Sequence, residues 1–90
     1  MGDINKYIKE KAFQGVISLI AEFLSDWGLK ETRIKNDNYP ALIKTEKGNF
    51  EISYAGEDII IRIPGEIFEG VIGWELEALC REKGWECIKK

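Results

Sequence analysis

The spacing of apolar residues along the chain changes twice, from a helical repeat to alternation and back to a helical repeat. Between residues 13 and 27, apolar residues recur about every 3.6 positions, which is typical of an amphipathic helix. Between residues 32 and 63, apolar and polar residues alternate, which is typical of strands with one buried face. The helical repeat returns over residues 66–83. The pattern therefore predicts an α+β fold with a helix, a sheet and a second helix, in that order.

Turn-forming residues divide the alternating segment into four short strands. The predicted strands are residues 32–35, 41–45, 50–54 and 59–63. Asn, Asp, Gly and Pro residues separate them, so we predict a four-stranded antiparallel meander. We expect one domain over residues 1–90, of order α-β-β-β-β-α, with both helices on one face of the sheet. A short final edge strand at residues 85–88 is a further expectation.

Alternation assigns the strand residues to two faces. The face expected to be buried is apolar and consists of Ile34, Ala41, Ile43, Phe50, Ile52, Tyr54, Ile59, Ile61 and Ile63. The outer face carries four basic residues and one acidic residue, Glu51, in a chain that is acidic overall. A solvated face with cross-strand charge pairs is the favoured interpretation. The alternative is a partner-binding face for an acidic or extended partner, made of Arg33, Lys35, Leu42, Lys44, Ile60 and Arg62.

The first predicted helix changes its apolar side along its length. Asp3 is a suitable N-cap, and Gly28 is a suitable stop after Trp27. At 100° per residue, the early apolar residues Ile4, Tyr7 and Ile8 fall on the polar side of the later half. A kink near residues 14–15, or a frayed end, is the favoured explanation. The alternative is a straight helix that uses Ile4, Tyr7 and Ile8 as a homodimer contact.

The second predicted helix spans residues 66–83. Its apolar set is Ile67, Phe68, Val71, Ile72, Leu76, Leu79 and Cys80. Gly70 and Gly73 lie one turn apart on its polar side, where a tolerated glycine or close packing of another backbone is favoured over a binding interface. Glu75 is a candidate acid or base if buried. The favoured interpretation is a helix-edge residue that reaches water.

Two cysteines and the absence of histidine limit the available chemistry. Cys80 and Cys87 could pair across Gly84, but two separate core thiols are favoured. With no histidine, the commonest general base and the commonest metal ligand are both missing. Together with the lack of a recognisable signal sequence or apolar span, this cysteine usage predicts a cytoplasmic protein that does not enter membranes.

The 90 residues include 13 Lys and Arg against 16 Asp and Glu, for a formal charge of −3. No segment is basic enough to suggest a nucleic-acid footprint, so a nucleic-acid partner is disfavoured. We find no phosphate-binding glycine loop, no activated nucleophile and no metal motif in the sequence, and we expect neither a cofactor nor a metal. The favoured function is a small non-catalytic protein-interaction module, with another protein or a second copy as partner. Nucleic-acid binding by the outer sheet face is the alternative, and a catalytic site would need a cleft beside Glu75.

Overall fold

The computed structural model describes the backbone of residues 2–29, 31–33 and 40–90, and the side chains of residues 11–29 and 40–90. The predicted buried residue Ile34 and the predicted face residue Lys35 lie outside this range. The elements are α1 (Gly2–Asp26), β1 (Glu31–Arg33), β2 (Ala41–Thr45), β3 (Gly48–Ala55), β4 (Asp58–Ile63), α2 (Gly65–Phe68), α3 (Val71–Lys83) and β5 (Glu86–Lys89). The α+β class is therefore confirmed.

The five strands form one mixed sheet in the order β1-β2-β3-β4-β5. The first four strands pair antiparallel with their chain neighbours, which confirms the meander. The final strand exists, but it pairs parallel with β4, so the sheet is not antiparallel throughout. Parallel neighbours require a crossover of about a dozen residues or more, and α2 and α3 provide it between β4 and β5.

The core lies between the predicted inner face of the sheet and the apolar sides of the helices. Its largest fully buried side chains are Phe50, Ile20, Leu24, Ile43, Ile52, Ile61, Ile63, Leu76 and Cys80. Tyr54 and Ile59 are half-buried and pack against this cluster. The ring of Phe13 in α1 meets the ring of Tyr54 edge-on, with centroids 5.4 Å apart. Each fully buried aliphatic or aromatic side chain stabilises the fold by about 1.5–3 kcal/mol.

The first helix continues without a break through Gly15. Its end differs from the predicted one by a single residue: Gly28 adopts a left-handed conformation with φ 78°, and the Leu29 N–H donates to the Leu24 carbonyl at 3.0 Å. Trp27, predicted as part of the core stripe, is instead 42% exposed and lies beside Phe23. The reason is its position after the last helical turn, at the rim of the core.

The second predicted helix is two helices, so the single-helix prediction is wrong. Gly70 interrupts it in an extended conformation with φ −102° and ψ −175°. Glycine is a poor helix former, which favours a break here, and α3 packs back against α2. Gly73 is buried at this contact: a Cβ added there would overlap the Ile67 carbonyl oxygen and lie 2.6 Å from Cα of Phe68. Of the two favoured explanations for Gly73, a tolerated glycine and close packing, the structure shows close packing.

The break at Gly70 changes which residues α3 buries. Val71, predicted to be in the core, is 64% exposed, and that prediction is wrong. A single helix would have kept Val71 in phase with Ile67. Because α3 is a separate helix, its residues no longer continue the rotation set by Ile67. Leu76 and Cys80 form the core side of α3, and Val71 faces outward.

The two cysteines are joined in a disulfide, which corrects the expectation of two separate thiols. Gly84 ends α3 in a left-handed conformation with φ 78°, and the chain reverses there into β5. The register pairs Cys87 with Ile61, a core residue of β4. This pairing brings Cys87 to the side of the sheet where Cys80 is buried, and their Cα atoms are 6.4 Å apart.

Candidate interaction surfaces

The sheet register brings four of the predicted partner-face residues to one side. Leu42 is opposite Glu51, which is opposite Arg62, so these residues form a row across β2, β3 and β4. Lys44 is two positions along β2 from Leu42, and Ile60 is two positions along β4 from Arg62. Leu42 and Ile60 are half-buried, whereas Lys44 and Arg62 are exposed.

The charge on the described part of this face is balanced. The Arg62 Nε lies 3.8 Å from a carboxylate oxygen of Glu51, an ion pair of the expected cross-strand kind. The added strand β5 brings Glu86 next to Ile60. Two exposed cations, Lys44 and Arg62, are thus accompanied by two carboxylates. An exposed ion pair of this sort contributes about 0–1 kcal/mol and is weakened by salt.

The two remaining residues of the predicted face lie on or near β1. The β1–β2 register pairs Arg33 with Ile43 and Thr32 with Lys44. Thr32 is therefore the direct cross-strand neighbour of Lys44. Cross-strand partners share a face of the sheet, so this register puts position 33 on the side of the buried residue Ile43 and not on the outer face, which disagrees with the prediction for Arg33. Lys35 lies outside the described residues, and its part in the face stays a prediction.

A second surface lies on the side of α3 that faces away from the core. Trp74 is 72% exposed and Val71 is 64% exposed, and both are on the same side of the helix one turn apart. Exposed Ala78 follows one turn further on. We call Val71, Trp74 and Ala78 the α3 stripe. An exposed tryptophan beside other exposed apolar residues is a feature of interaction sites. Tryptophan is also enriched among the residues that contribute most to binding at protein interfaces.

Acidic residues line one flank of the α3 stripe. Glu75 and Glu82 are exposed on this flank, and neither forms an ion pair with another described residue. On the other flank, Arg81 is bound to Glu77, with an N–O distance of 3.3 Å. The stripe is therefore apolar at its centre and negative along one edge.

The exposure of Glu75 agrees with the favoured interpretation of a helix-edge residue. It is outside the apolar interior that the acid-base alternative required. The one described carboxyl group with a clear shift is Glu69, also exposed, whose pKa is lowered from its ordinary value of 4.5 by a hydrogen bond and charge attraction from Lys89. This ion pair connects the α2–α3 junction to β5.

The front turns of α1 form the third candidate surface. Since the helix continues from Gly2 to Asp26, its phase is preserved, and positions 4, 7 and 8 are on the side opposite Phe13 and Ile20. Phe13 is the first residue of α1 in the described core, so about 16 Å of helix precedes it at 1.5 Å per residue. The side chains of Ile4, Tyr7 and Ile8 lie outside the described range.

Sequence reasoning missed the α3 stripe. A signal for it was present, because any helix through residues 74–80 puts Trp74 opposite Leu76 and Cys80. The single-helix prediction for residues 66–83 placed Val71 in the core and so hid its position beside Trp74.

The described residues contain no cluster of three or more carboxylates or cysteines suited to a metal ion. None of the described helices has the length and apolar character needed to cross a membrane. No protein-family model matches the chain, and comparison with curated proteins and with solved structures found no significant match.

Proposed function

We propose that this chain is a small non-catalytic protein-interaction module whose first partner is a second copy of itself. In the proposed homodimer, the front turns of α1 from each copy contact the α3 stripe of the other copy. The observation that carries this proposal is the exposure of Trp74 and Val71 side by side on α3. Burying such a pair against another chain removes apolar surface from water, the main driving force of association.

The α1 helix supplies a surface of matching character. Its continuity supports the straight-helix alternative, in which Ile4, Tyr7 and Ile8 face away from the core of their own chain. The apolar patch proposed at the start of α1 covers about one to two helical turns. The α3 stripe is also apolar and covers about two turns, so the two patches are similar in length.

Charge favours contact between α1 and α3 over contact between two α3 helices. Residues 2–12 contain three lysines and two carboxylates, whereas α3 contains three glutamates and two basic residues. Two antiparallel α3 helices related by a twofold axis would bring the flank with Glu75 and Glu82 against the same flank of the partner. Like charges placed together in this way oppose association.

The size of the stripe favours two contacts per dimer. A tryptophan buries about 150–250 Å², whereas a specific interface needs about 1,000 Å² in total. A twofold dimer forms each contact twice, because residue i meets residue j in one contact and j meets i in the other. The reciprocal arrangement therefore uses both small patches of each chain.

Light scattering on purified chains tests the proposal. We expect the wild type to have the mass of a dimer, and Ile4→Asp/Ile8→Asp and Trp74→Ala to be monomers when measured separately. Trp27→Ala, which changes the other exposed tryptophan, is the matched control and stays a dimer. A wild type that is monomeric at high micromolar concentration would overturn the proposed self-association.

Mixing the two monomeric variants tests which surfaces meet. In an equimolar mixture, the intact α1 of the Trp74→Ala chain can still bind the intact α3 of the Ile4→Asp/Ile8→Asp chain. We therefore expect the mixture, held by one of the two contacts, to contain more dimer at high micromolar concentration than either variant alone. A mixture with no more dimer than the separate variants would contradict the α1–α3 pairing even when the wild type is a dimer.

The outer sheet face remains a second proposed surface, for an acidic or extended partner. Its support is the set Leu42, Lys44, Ile60 and Arg62, which shares one side of the sheet. A cytoplasmic location also belongs to the proposal, and cell fractionation with an antibody to the chain tests it.

A further inference from the structure

Among the strands whose side chains the structure describes, β2 to β5, the last strand is the one with the fewest buried contacts. None of the side chains of β5 is fully buried, whereas β2, β3 and β4 each contribute fully buried residues. Beyond its ladder with β4, the Lys90 N–H donates to the Ile63 carbonyl at 2.8 Å. The Lys89–Glu69 ion pair and the contact of Lys90 Nζ with the Asn49 carbonyl are both exposed. Such exposed contacts hold a strand only weakly.

The disulfide is a covalent attachment that exposure to water does not weaken. It connects β5 to Cys80, which is 1% exposed in the centre of the core. Cys87 is half-buried on the edge strand, so it is the more exposed of the two cysteines. A disulfide with one buried cysteine and one partly exposed cysteine suits a bond that a soluble thiol can open.

We propose that the Cys80–Cys87 pair is a redox-responsive link that determines whether β5 stays on the edge of β4. A dithiol reductant supplies two electrons and two protons. Its thiolate attacks Sγ of Cys87, the Cys80–Cys87 bond breaks, and Cys80 leaves as a thiolate that takes up a proton. The second thiol of the reductant then displaces Cys87 from the mixed disulfide, so the reductant becomes a disulfide and the chain has two thiols.

Opening this link affects β5 more than the rest of the sheet. The disulfide closes a short loop around Gly84, and its removal gives this segment more conformations away from the sheet. The ladder from β1 to β4 and the core beneath it do not depend on the bond. When β5 leaves, the edge of β4 has unpaired backbone groups, which are the groups that accept an added strand.

Amide hydrogen exchange of the native chain, with and without dithiothreitol, tests the proposal. We expect alkylation of the native chain with iodoacetamide to modify neither cysteine before reduction and to modify Cys87 after it, while Cys80 stays protected in the core. On reduction, the amides of β5 should exchange about tenfold faster or more, while the amides of β3 keep their rate. Cys87→Ala should show fast exchange in β5 under both conditions, with no response to dithiothreitol.

Three results would overturn the proposal. One is a reduced chain in which β5 exchanges as slowly as in the oxidised chain. Another is an equal acceleration throughout the sheet, which would make the disulfide a support of the whole fold. The last is a chain that keeps two free thiols in a glutathione-disulfide buffer. The wild type provides all three readouts without any substitution, and none depends on the proposed dimer.

Discussion

The N-terminal helical region is one continuous helix, whereas the C-terminal helical region divides into α2 and α3 at Gly70. Both regions bury apolar residues against the same side of the sheet. Because α1 is unbroken from Gly2 to Asp26, its helical repeat stays in register, and the apolar residues between 13 and 24 could be assigned to the core from their spacing. In the C-terminal region the phase restarts at Val71, and the same reasoning placed Val71 in the core when it is exposed. Periodicity thus identifies a buried side only as far as a helix is unbroken.

The largest expected effects separate buried from exposed positions in the two regions. Leu24→Ala in α1 and Leu76→Ala in α3 should each lower the free energy of unfolding by about 2–5 kcal/mol, because both side chains are fully buried. Val71→Ala should change it by less than about 0.5 kcal/mol. Urea unfolding at a dilution where the chain is monomeric measures all three. A loss for Val71→Ala as large as that for Leu76→Ala would restore the single-helix interpretation.

The next effect concerns the contact between α2 and α3. Gly73→Ala should lower the free energy of unfolding by about 3 kcal/mol, since its new Cβ meets backbone atoms of Ile67 and Phe68 that cannot move aside easily. Gly70→Ala is the control, because a Cβ there meets nothing closer than 3.6 Å. Thermal unfolding of the two variants measures the difference. Equal stability of both variants would contradict the close packing of the two helices.

A glycine in α1 should respond in the opposite direction. Gly15→Ala is expected to raise the free energy of unfolding by about 0.5–1 kcal/mol, because alanine favours a helix and the added Cβ has no atom of another part of the chain within 4 Å. Urea unfolding detects this gain. A loss of stability would show that the helix bends at Gly15, as the favoured sequence interpretation held.

The smallest effect comes from the ion pair that joins the α2–α3 junction to β5. Lys89 lowers the pKa of Glu69 below 4.5, so the charged carboxylate stabilises the folded state. This stabilisation is present above the pKa of the unfolded chain and is lost as the pH falls through the lower pKa of the folded chain. Because the pair is exposed, we expect a small effect that salt screens.

An NMR titration of the Glu69 carboxyl group measures this shift directly. Lys89→Met should return the pKa of Glu69 toward 4.5. The control is Lys83→Met, which removes an exposed lysine at the end of α3 and should leave the pKa of Glu69 unchanged. A Glu69 titration that is identical in the wild type and Lys89→Met would rule out the proposed cause.

The candidate surfaces differ in how far they were predictable. Alternation alone grouped Leu42, Lys44, Ile60 and Arg62 on one side of the sheet, because side chains two positions apart in a strand share a face. The presence of Glu86 on that side could not be anticipated, since it depends on how β5 pairs. Within the α3 stripe, only the exposure of Val71 needed knowledge of where α3 begins. A glycine inside an apolar repeat is compatible with both a tolerated residue and a break.

By itself, the sequence determined the features that arise from neighbours along the chain: the α+β class, the position of α1, the antiparallel meander from β1 to β4 and its buried face. These follow from local periodicity and turn chemistry. Only the tertiary structure decided the division at Gly70, the exposure of Val71, the parallel pairing of β5 and the bond between Cys80 and Cys87. Each of these depends on where the chain returns after Ile63, and that path is set by packing between residues distant in sequence, such as Gly73 against Ile67 and Cys87 beside Ile61.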